Sequence, residues 1–426
     1  MPSLGRHRQT KIYADGLLGR RPAVPTAPAA LEAAAKKKLD ASSAAYFLGG
    51  AGAERTMAEN RAAFDRYPIV QRMLRNVSSR DLSIELFGRT LPLPFLLGPI
   101  GVLEMAHREA DLAAARAASA AGIGFVTSNQ ASYPMEAVAD AVGSGPRWFQ
   151  LYWSARDELV ESFLDRAERY GYEAIVVTLD TTELGWRCRD LDLGYLPFLR
   201  GRGIANYLSD PVFQRLSVAD EEIGPLPRPR LGAVASLAEF LGSQRKWSRA
   251  AAPMGPKKLA DSIRRFLAIY SRTDLSWDKL AALREKTRLP IVLKGILHPD
   301  DARRALDCGV DGLVVSNHGG RQVDGAAAAL DQLPLVADAV ESRVPVLFDS
   351  GIRTGADIVK ALGLGATAVL IGRPYICGLA LAGEAGVRAV IDNLAADLDL
   401  TLGLSGRRSV GELDRSIFAG SPSKAA

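Results

Sequence analysis

The sequence predicts an α/β protein built on a (β/α)8 TIM barrel, with an N-terminal helical arm and a long insertion after the fourth strand. Short apolar runs rich in β-branched residues alternate with amphipathic helical segments along the chain. These runs are continuous rather than alternating, which is typical of parallel strands buried on both faces. The chain contains eight such strand–helix units, and eight is the number that closes this barrel.

Each predicted strand is an apolar run bounded by polar or turn residues. The eight runs are FLLGPIG (95–101), GFVTSN (124–129), RWFQLYW (147–153), AIVVTLD (174–180), PIVLKGI (290–296), GLVVSNH (312–318), PVLFDSG (345–351) and AVLIGR (368–373). Helical segments such as ARDELVESFLDRAERYG and HPDDARRALDCG lie between them. Alternation of strands with helices of this length predicts a parallel sheet.

Two segments flank the barrel, which is expected to span residues 91–403. Residues 1–90 are expected to form the arm, with helices over 27–39 and 54–65. Within the arm, SIELFGRTLPLP (83–94) is expected to form a hairpin that plugs the barrel floor. Residues 404–426 are expected to form a C-terminal tail.

The insertion covers residues 190–275, between the fourth and fifth strands. Without it, the barrel has close to the roughly 250 residues that are typical of this fold. A long segment at this position predicts a lid or a mobile loop above the active face. A loop that contacts a membrane is the competing interpretation, because RKWSR (245–249) and a pair of lysines at 257–258 are basic. A solvated basic face explains the same residues.

Composition restricts the classes of partner. The net charge is +5, but 53 basic residues are interleaved with 48 acidic ones, and no RNA-binding signature is present, so nucleic acid is not expected. The sequence contains no run of 18 or more apolar residues, so a membrane span is not expected. The chain has three widely spaced cysteines without CxxC spacing, which indicates neither a disulfide framework nor a metal site and favours the cytoplasm.

Polar residues cluster where the predicted strands end. In this barrel the ligand-binding groups lie at the C-terminal ends of the strands, and side chains at positions i and i+2 of a strand share a face. The polar residues at these ends are Gln150 with Tyr152, Thr178 with Asp180, Ser316 with His318, and the single residues Lys294 and Asp349. So many polar groups at one end of a barrel are costly unless they meet a ligand.

The last two strands end in segments suited to a phosphate group. DSGIRTG (349–355) and IGRP (371–374) combine glycines with Arg353 and Arg373. Glycines let the backbone approach an anion, and these loops are the usual phosphate site of the fold. A phosphorylated ligand is therefore expected, with ordinary turn glycines and surface arginines as the alternative.

The motif SNHGGRQ (316–322) after the sixth strand carries a resemblance to a known family. Together with YFLGGAG, TMAENRAAF, MAH, FQLY, TLDTTELGWR, LKGI, DSGIRTGAD and IGRP, it resembles the FMN-dependent α-hydroxy acid oxidases and dehydrogenases over about residues 40–412. Within that family, GPIG, GWRCRDLDL, LPFLRG, DPVFQ and HPDDARRA are most similar to lactate 2-monooxygenase.

The resemblance implies a catalytic set. His318 is similar to the base that takes a proton from the substrate, and Asp180 would pair with the imidazolium that forms. Arg187 and Arg321 would hold the substrate carboxylate, because the planar guanidinium fork meets two oxygens at once. Tyr46 from the arm would add a hydroxyl contact. Tyr152 would lie near the reacting oxygen.

The resemblance also implies FMN as the cofactor. Lys294 would lie near flavin N1 and O2. The remaining cofactor-binding residues would be Pro99, Ile100 and Gly101 at the isoalloxazine, Ser128, Gln150 and Thr178 at its polar edge, Ser316 beside the flavin, and Asp349, Gly351, Arg353, Gly372 and Arg373 at the ribityl and phosphate groups.

Two positions depart from the family pattern. Gly101 stands where many relatives have alanine, which predicts more space beside flavin N5, altered oxygen access and retention of the product. Gln130 stands where relatives carry Trp or an aliphatic residue, in a side-chain pocket that Val102 and Leu184 are expected to share. This glutamine suggests a substrate with a polar or larger group. The alternative is that its side chain points away.

Three functions remain open at this point. The first is FMN-dependent oxidation of a small L-2-hydroxy acid by O2, with decarboxylation of the bound 2-keto acid as a possible second step. The second is a dehydrogenase that passes electrons to quinone or a protein. The third is a non-catalytic barrel that binds a phosphorylated ligand. The resemblance further implies a homotetramer or homo-octamer.

Overall fold

A computed structural model describes residues 3–217 and 256–419 and confirms the predicted barrel. A two-stranded hairpin precedes eight parallel strands, which close in the order β10-β3-β4-β5-β6-β7-β8-β9. The strands are β1 Ile84–Leu86, β2 Arg89–Leu91, β3 Phe95–Leu97, β4 Phe125–Thr127, β5 Arg147–Tyr152, β6 Ile175–Thr178, β7 Ile291–Ile296, β8 Gly312–Val315, β9 Val346–Phe348 and β10 Ala368–Ile371.

All eight predicted barrel strands exist, but most of them end earlier than predicted. Strand β8 ends at Val315, so Ser316 and His318 lie in the following turn. His318 has φ +57°, in the left-handed region that non-glycine residues seldom adopt. The expectation that Ser316 and His318 share a strand face is therefore wrong. The turn, and not the pleat of the strand, orients the imidazole.

The predicted hairpin over 83–94 corresponds to β1 and β2, which pair antiparallel. Leu86 and Leu91 pack with the side chains that point into the barrel, and the Phe87 ring lies 5.3 Å from that of Trp148. The hairpin thus closes the barrel floor, as expected. A ligand therefore enters this barrel from the opposite end.

The helices of the described residues follow in chain order. They are α1 Leu4–Leu17, α2 Pro28–Lys38, α3 Ala41–Leu48, α4 Arg55–Ala62, α5 Ala110–Ala120, α6 Met135–Val142, α7 Asp157–Arg169, α8 Cys188–Asp192, α9 Ala205–Leu208, α10 Pro211–Arg215, α11 Pro256–Ile269, α12 Trp277–Arg284, α13 Pro299–Asp307, α14 Ala329–Val340, α15 Gly355–Gly363 and α16 Arg373–Leu404. The predicted arm helices over 27–39 and 54–65 correspond to α2 and α4.

Helix α1 was not expected, because its residues show little apolar periodicity. Within it Gly5 alone is buried. The Gly5 backbone N donates to Asp399 Oδ2 at 2.8 Å, and Arg80 binds the same carboxylate through Nε and Nη2 at 2.6 and 2.9 Å. Tertiary contacts rather than an amphipathic pattern therefore hold α1 against α16.

Helix α16 is long and apolar enough to cross a membrane. However, 72% of its most apolar 18-residue window is buried inside the protein, where it packs on α1, α2, α5 and α15. The helix is kinked at Ala382 and Gly383, which have non-helical backbone angles. This burial is typical of a core helix in a barrel.

Both described ends of the insertion are packed against the barrel. Arg166 of α7 binds Asp210 Oδ2 at 2.9 Å and Glu136 Oε1 at 2.8 Å. Asn206 Nδ2 donates to the carbonyl oxygen of Asn129 at 3.0 Å, and the Tyr207 hydroxyl donates to Asn129 Oδ1 at 3.1 Å. These ends are part of the core. The middle of the predicted lid, including RKWSR, lies outside the described residues.

The described part of the C-terminal tail returns to the arm. Ile417 and Phe418 are buried, and the Phe418 ring lies 5.6 Å from the ring of Tyr67. The backbone N of Val70 donates to the carbonyl of Ile417 at 2.8 Å. Tail and arm therefore pack as one layer on the outside of the barrel.

We expect Asp210→Ala to lower the free energy of unfolding by about 3–5 kcal/mol, because Arg166 would remain buried without one of its two carboxylates. Asp210 Oδ1 also caps α10 by accepting from the backbone N of Val212 and Phe213. Denaturant unfolding measures the change. Asp338→Ala is the control, since Asp338 pairs with Arg415 on the surface and should contribute less than about 1 kcal/mol. Equal losses in both variants would contradict the stabilising role of Asp210.

Candidate active site

A cavity opens at the C-terminal ends of the strands, where the arm and the strand loops meet. Its lining includes 14 of the 19 predicted site residues. These are Tyr46, Pro99, Ile100, Gly101, Tyr152, Arg187, Lys294, His318, Arg321, Asp349, Gly351, Arg353, Gly372 and Arg373. The fold thus brings together predicted residues that are more than 300 positions apart in the chain.

The other five predicted residues lie beside the cavity but do not line it, and all of them except the partly buried Asp180 are buried. Ser128 Oγ donates to Gln150 Oε1 at 3.0 Å, and Gln150 Nε2 donates to Thr178 Oγ1 at 3.1 Å. These three side chains therefore form a hydrogen-bonded row across β4, β5 and β6. Ser316 accepts from Lys294 Nζ at 2.8 Å, and Asp180 lies behind His318.

His318 and Asp180 form the central pair of the site. His318 Nδ1 lies 2.7 Å from Asp180 Oδ1, and Thr181 Oγ1 donates to the same oxygen at 2.9 Å. Because an ionised carboxylate can only accept, Nδ1 carries the proton in neutral imidazole. Nε2 is then the nitrogen that can accept a proton.

The surroundings of the pair keep the base neutral and the acid ionised. Burial lowers the pKa of His318, although the Asp180 carboxylate opposes this shift. Burial raises the pKa of Asp180, but the charge that His318 carries when protonated, the charge of Lys294 and the hydrogen bonds from His318 and Thr181 outweigh it and hold this pKa well below its usual range. The arrangement suits a base whose cationic form is stabilised once it has taken a proton.

Lys294 is a buried cation between two carboxylates. Its Nζ lies 3.0 Å from Asp349 Oδ2 and 3.8 Å from Asp180 Oδ2. Burial lowers the pKa of Lys294, but both carboxylates raise it, and the net shift is upward. The lysine therefore stays charged, and it can stabilise negative charge that develops beside it.

Arg187 is buried and Arg321 is partly buried, and neither forms an ion pair with a carboxylate of the described residues, although the charge of Asp190 acts on both. Arg321 Nη1 donates to the carbonyl of Gly49 at 2.8 Å, and its guanidinium lies 5.1 Å from the centre of the Tyr46 ring. Arg187 Nη2 donates to Gln322 Oε1 at 2.8 Å. Burial and the neighbouring Arg187 lower the pKa of Arg321 to about 9. An anion in the cavity would relieve this repulsion.

A second positive region lies where the sequence predicts a phosphate site. Arg373 donates to the carbonyls of Phe47, Gly319 and Gly49 at 3.2, 3.1 and 2.9 Å, and burial lowers its pKa to about 10. Arg353 lies 3.7 Å from Glu32. Nearby Gly351 has φ +117°, which L side chains rarely adopt. Two buried guanidinium groups and an accessible backbone fit a phosphate.

Gly101 and Gln130 form one packing unit. A Cβ at residue 101 would lie 3.0 Å from Gln130 Cβ and 3.2 Å from its carbonyl oxygen. A side chain at residue 101 would therefore be tight against Gln130, while the expectation of more space beside flavin N5 stays a prediction. Gln130 lines the cavity together with Leu184, so it does not point away. Val102 is fully buried and does not line the cavity, contrary to expectation.

Several residues that line the cavity were not predicted from the sequence. Thr181 binds both members of the central pair, and its position directly after Asp180 was a signal that could have found it. Phe198 and Tyr270 come from the two ends of the insertion. No local pattern predicts that these two aromatic residues reach the cavity, because their position depends on how the insertion folds.

Comparisons with known proteins agree with this site. A family model described as FMN-dependent dehydrogenase matches residues 35–419. The chain belongs to this family. FMN-dependent dehydrogenases are oxidoreductases that use FMN, so a non-catalytic barrel is no longer a candidate.

Several individual proteins are similar to this chain over almost its whole length. The chain is 43% identical to the FMN-dependent alpha-hydroxy acid dehydrogenase qulF of Penicillium citrinum, over 96% of this chain and 94% of that protein. It is 41% identical to an L-lactate oxidase of Lysinibacillus sphaericus, over 91% and 90%. A crystal structure of mandelate oxidase with (S)-4-hydroxymandelic acid matches with a TM-score of 0.75 at 34% identity, over 92% of this chain and 98% of that one.

The residues present fit FMN. The phosphate would meet Arg353 and Arg373, and the isoalloxazine would meet the backbone of Pro99, Ile100 and Gly101 with Lys294 at its electron-rich edge. The buried row of Ser128, Gln150 and Thr178 would supply further polar groups to the isoalloxazine. The cavity thus offers cations for the phosphate of FMN and polar groups for its isoalloxazine ring.

We expect Arg373→Met to weaken FMN binding by about 10- to 100-fold, because it removes a charged hydrogen-bond donor to the phosphate. Riboflavin lacks the phosphate, so its affinity should be unchanged. Quenching of flavin fluorescence by the apoprotein measures both affinities. Arg388→Met is the control, since Arg388 pairs with Asp392 at the surface. Equal losses for FMN and riboflavin would contradict the assignment.

We expect Asp180→Asn to lower kcat by about 10²- to 10⁴-fold, because the imidazolium loses its counter-charge. In the native protein kcat/KM should fall as pH drops through the lowered pKa of His318. The Asp180 carboxylate raises that pKa, so the variant should lose activity at a still lower pH. Profiles of kcat/KM against pH test this. A shift of the acid limb to higher pH would refute it, and Asp300→Asn, at an exposed site, is the control.

Proposed function

We propose that this protein oxidises a small L-2-hydroxy acid to the 2-keto acid, with dioxygen as the electron acceptor. The observation that carries the proposal is the juxtaposition, in one cavity, of a neutral base and two guanidinium groups that form no ion pair with a carboxylate of the described chain. A 2-hydroxy acid requires both features, because the two cations bind its carboxylate and the base takes a proton from the neighbouring part of the substrate.

The cations orient the substrate. Arg187 and Arg321 bind its carboxylate, and Tyr46 adds a hydroxyl donor. Burial raises the pKa of Tyr46 and of Tyr152, so both phenols stay protonated and donate. The three charged and polar contacts fix the hydroxyl-bearing carbon in one orientation, which lowers the entropic part of the barrier.

His318 performs the proton transfer. Its Nε2 takes one proton from the substrate, and Asp180 stabilises the imidazolium that results. Bound FMN supplies the acceptor for the hydrogen and the electron pair that leave Cα. Lys294, held by Asp349 and Asp180, remains charged throughout and stabilises negative charge at the cofactor.

The names of the relatives support dioxygen as acceptor. L-lactate oxidase and 2-hydroxyacid oxidase are both among them. Other relatives are named dehydrogenases, and these support a quinone or protein acceptor as the second candidate. The rate at which dioxygen reoxidises the reduced enzyme separates the two.

Retention of the product would lead to a second reaction. The 2-keto acid keeps the carboxylate that Arg187 and Arg321 bind, which favours its retention. Hydrogen peroxide formed in the cavity would then attack the keto carbon and yield the shorter carboxylic acid, carbon dioxide and water, as in lactate 2-monooxygenase. The amount of carbon dioxide per dioxygen consumed measures this step.

We extend the proposal to a homotetramer or homo-octamer in the cytoplasm. Large apolar side chains of the arm are exposed, among them Tyr13, Leu17 and Leu74, and a subunit interface would bury them. The three cysteines are free thiols, as expected in a reducing compartment.

A panel of 2-hydroxy acids mixed with the FMN-loaded protein under anaerobic conditions tests the proposed function. We expect loss of the yellow flavin absorbance with at least one L-2-hydroxy acid, and rapid recovery of the absorbance in air. Slow recovery would favour the dehydrogenase. His318→Ala should keep its colour but not bleach. Yellow wild-type protein that no 2-hydroxy acid bleaches would refute the proposal.

A further inference from the structure

The Gln130 side chain is the first feature that points to a substrate class. It is 6% exposed and lines the cavity. Its backbone is fully used, since its N donates to Ser128 Oγ at 3.1 Å and its carbonyl accepts from Val102 N at 2.9 Å. Its side-chain amide has no hydrogen-bond partner within residues 3–217 and 256–419. An amide at the wall of a cavity, with no partner among these residues, is available to bond to a ligand.

The backbone that carries this amide is held between two glycines. A Cβ at Gly101 would lie 3.0 Å from Gln130 Cβ, and a Cβ at Gly203 would lie 3.0 Å from the Gln130 carbonyl oxygen. The loop after β4 is therefore clamped by the loop after β3 and by the insertion. The backbone of Gln130 therefore has little room to move.

The insertion builds a flat wall beside Gln130. Phe198 lies 3.3 Å from the position of a Gly203 Cβ, so it adjoins Gln130. Its ring centre lies 6.3 Å from that of Tyr270, which in turn stacks on Phe266 at 5.0 Å. Tyr270, like Gln130, lines the cavity and carries a neutral polar group. An apolar wall thus connects two neutral polar groups.

The end of the cavity near Gln130 differs in charge from the end that binds the substrate carboxylate. Arg187 and Arg321 lie at the carboxylate end, whereas Gln130, Leu184, Phe198 and Tyr270 are all neutral. A second charged group on the substrate would be buried here without a counter-charge. A purely alkyl side chain would displace water from the amide and leave it unpaired.

We infer that the substrate is a 2-hydroxy acid whose side chain carries a neutral hydrogen-bonding group, such as a hydroxyl or a carboxamide, and that Gln130 and Tyr270 select it. This inference rests on the proposed function. It assigns a specificity role to two residues from different parts of the chain, one of them in the insertion. The group would lie against the Phe198 wall and bond to the amide at its end.

Two substrates of nearly equal shape test the inference. L-2-hydroxysuccinamate carries a carboxamide where L-2-hydroxy-4-methylpentanoate carries two methyl groups. We expect wild-type kcat/KM to favour the carboxamide by about 10- to 100-fold, as one or two hydrogen bonds would give. Gln130→Leu, which keeps the side-chain volume, should reverse this preference. Tyr270→Phe should reduce it, and Tyr170→Phe, on the outer surface, should leave it unchanged.

The outcomes separate the inference from the proposed function. If the methyl compound bleaches the flavin as well as the carboxamide does, the inference fails and the proposed function stands. If no 2-hydroxy acid bleaches the flavin, the proposed function fails. A preference for the carboxamide that Gln130→Leu does not change also refutes the inference. Gln130→Met, which keeps an unbranched chain, replaces Gln130→Leu if that variant does not fold, and the same ratio of kcat/KM is measured.

Discussion

The site depends on guanidinium groups that line the cavity without forming ion pairs with carboxylates of the described residues. Arg187, Arg321 and Arg373 bond to backbone carbonyls or to a glutamine amide, and these acceptors satisfy their donors without cancelling their charge. Carboxylate partners would neutralise the arginines in the ligand-free protein, but they would occupy the positions that the ligands need. The cavity thus retains a positive potential that an α-hydroxy carboxylate and a phosphate can each neutralise.

The arm makes this arrangement possible. The carbonyl of Gly49, just after α3, accepts from both Arg321 and Arg373. The next residues continue the contact, since the backbone N of Ala51 donates to the carbonyl of Gly320 at 2.9 Å. One loop of the arm therefore braces the residues at both the substrate end and the phosphate end. The barrel provides the strand ends, but the arm fixes the orientation of the arginines.

Much of the fold was predictable because it follows from short-range patterns. Continuous apolar runs locate every barrel strand, and the hairpin that closes the floor follows from its turn. The predicted strands are too long at their C-terminal ends, since polar residues such as Ser316 and His318 carry no signal of where the pleat gives way to a turn. Helix α1 has no such pattern, and its position depends on a buried carboxylate, Asp399, that is distant in sequence.

The site was predictable to the extent that its residues belong to motifs. SNHGGRQ placed His318 and Arg321 together, and the tertiary structure adds only their geometry. Properties that depend on two distant residues were beyond the sequence. Gly101 and Gln130 were considered separately in the sequence, and only the structure shows that they pack against each other. Phe198 and Tyr270 belong to an insertion whose path no local pattern fixes.

Asn129 gives this architecture a consequence for protein engineering. Its Oδ1 accepts from the Tyr207 hydroxyl of the insertion and from the backbone N of Tyr152, at 3.1 and 3.2 Å. One amide oxygen thus joins the insertion to the strand that carries an active-site tyrosine. A foreign insertion grafted onto this barrel would have to bring its own hydroxyl to that oxygen, or the oxygen that holds the Tyr152 backbone would lose one of its two donors. The insertion and strand β5 therefore have to be transferred together when this barrel is redesigned.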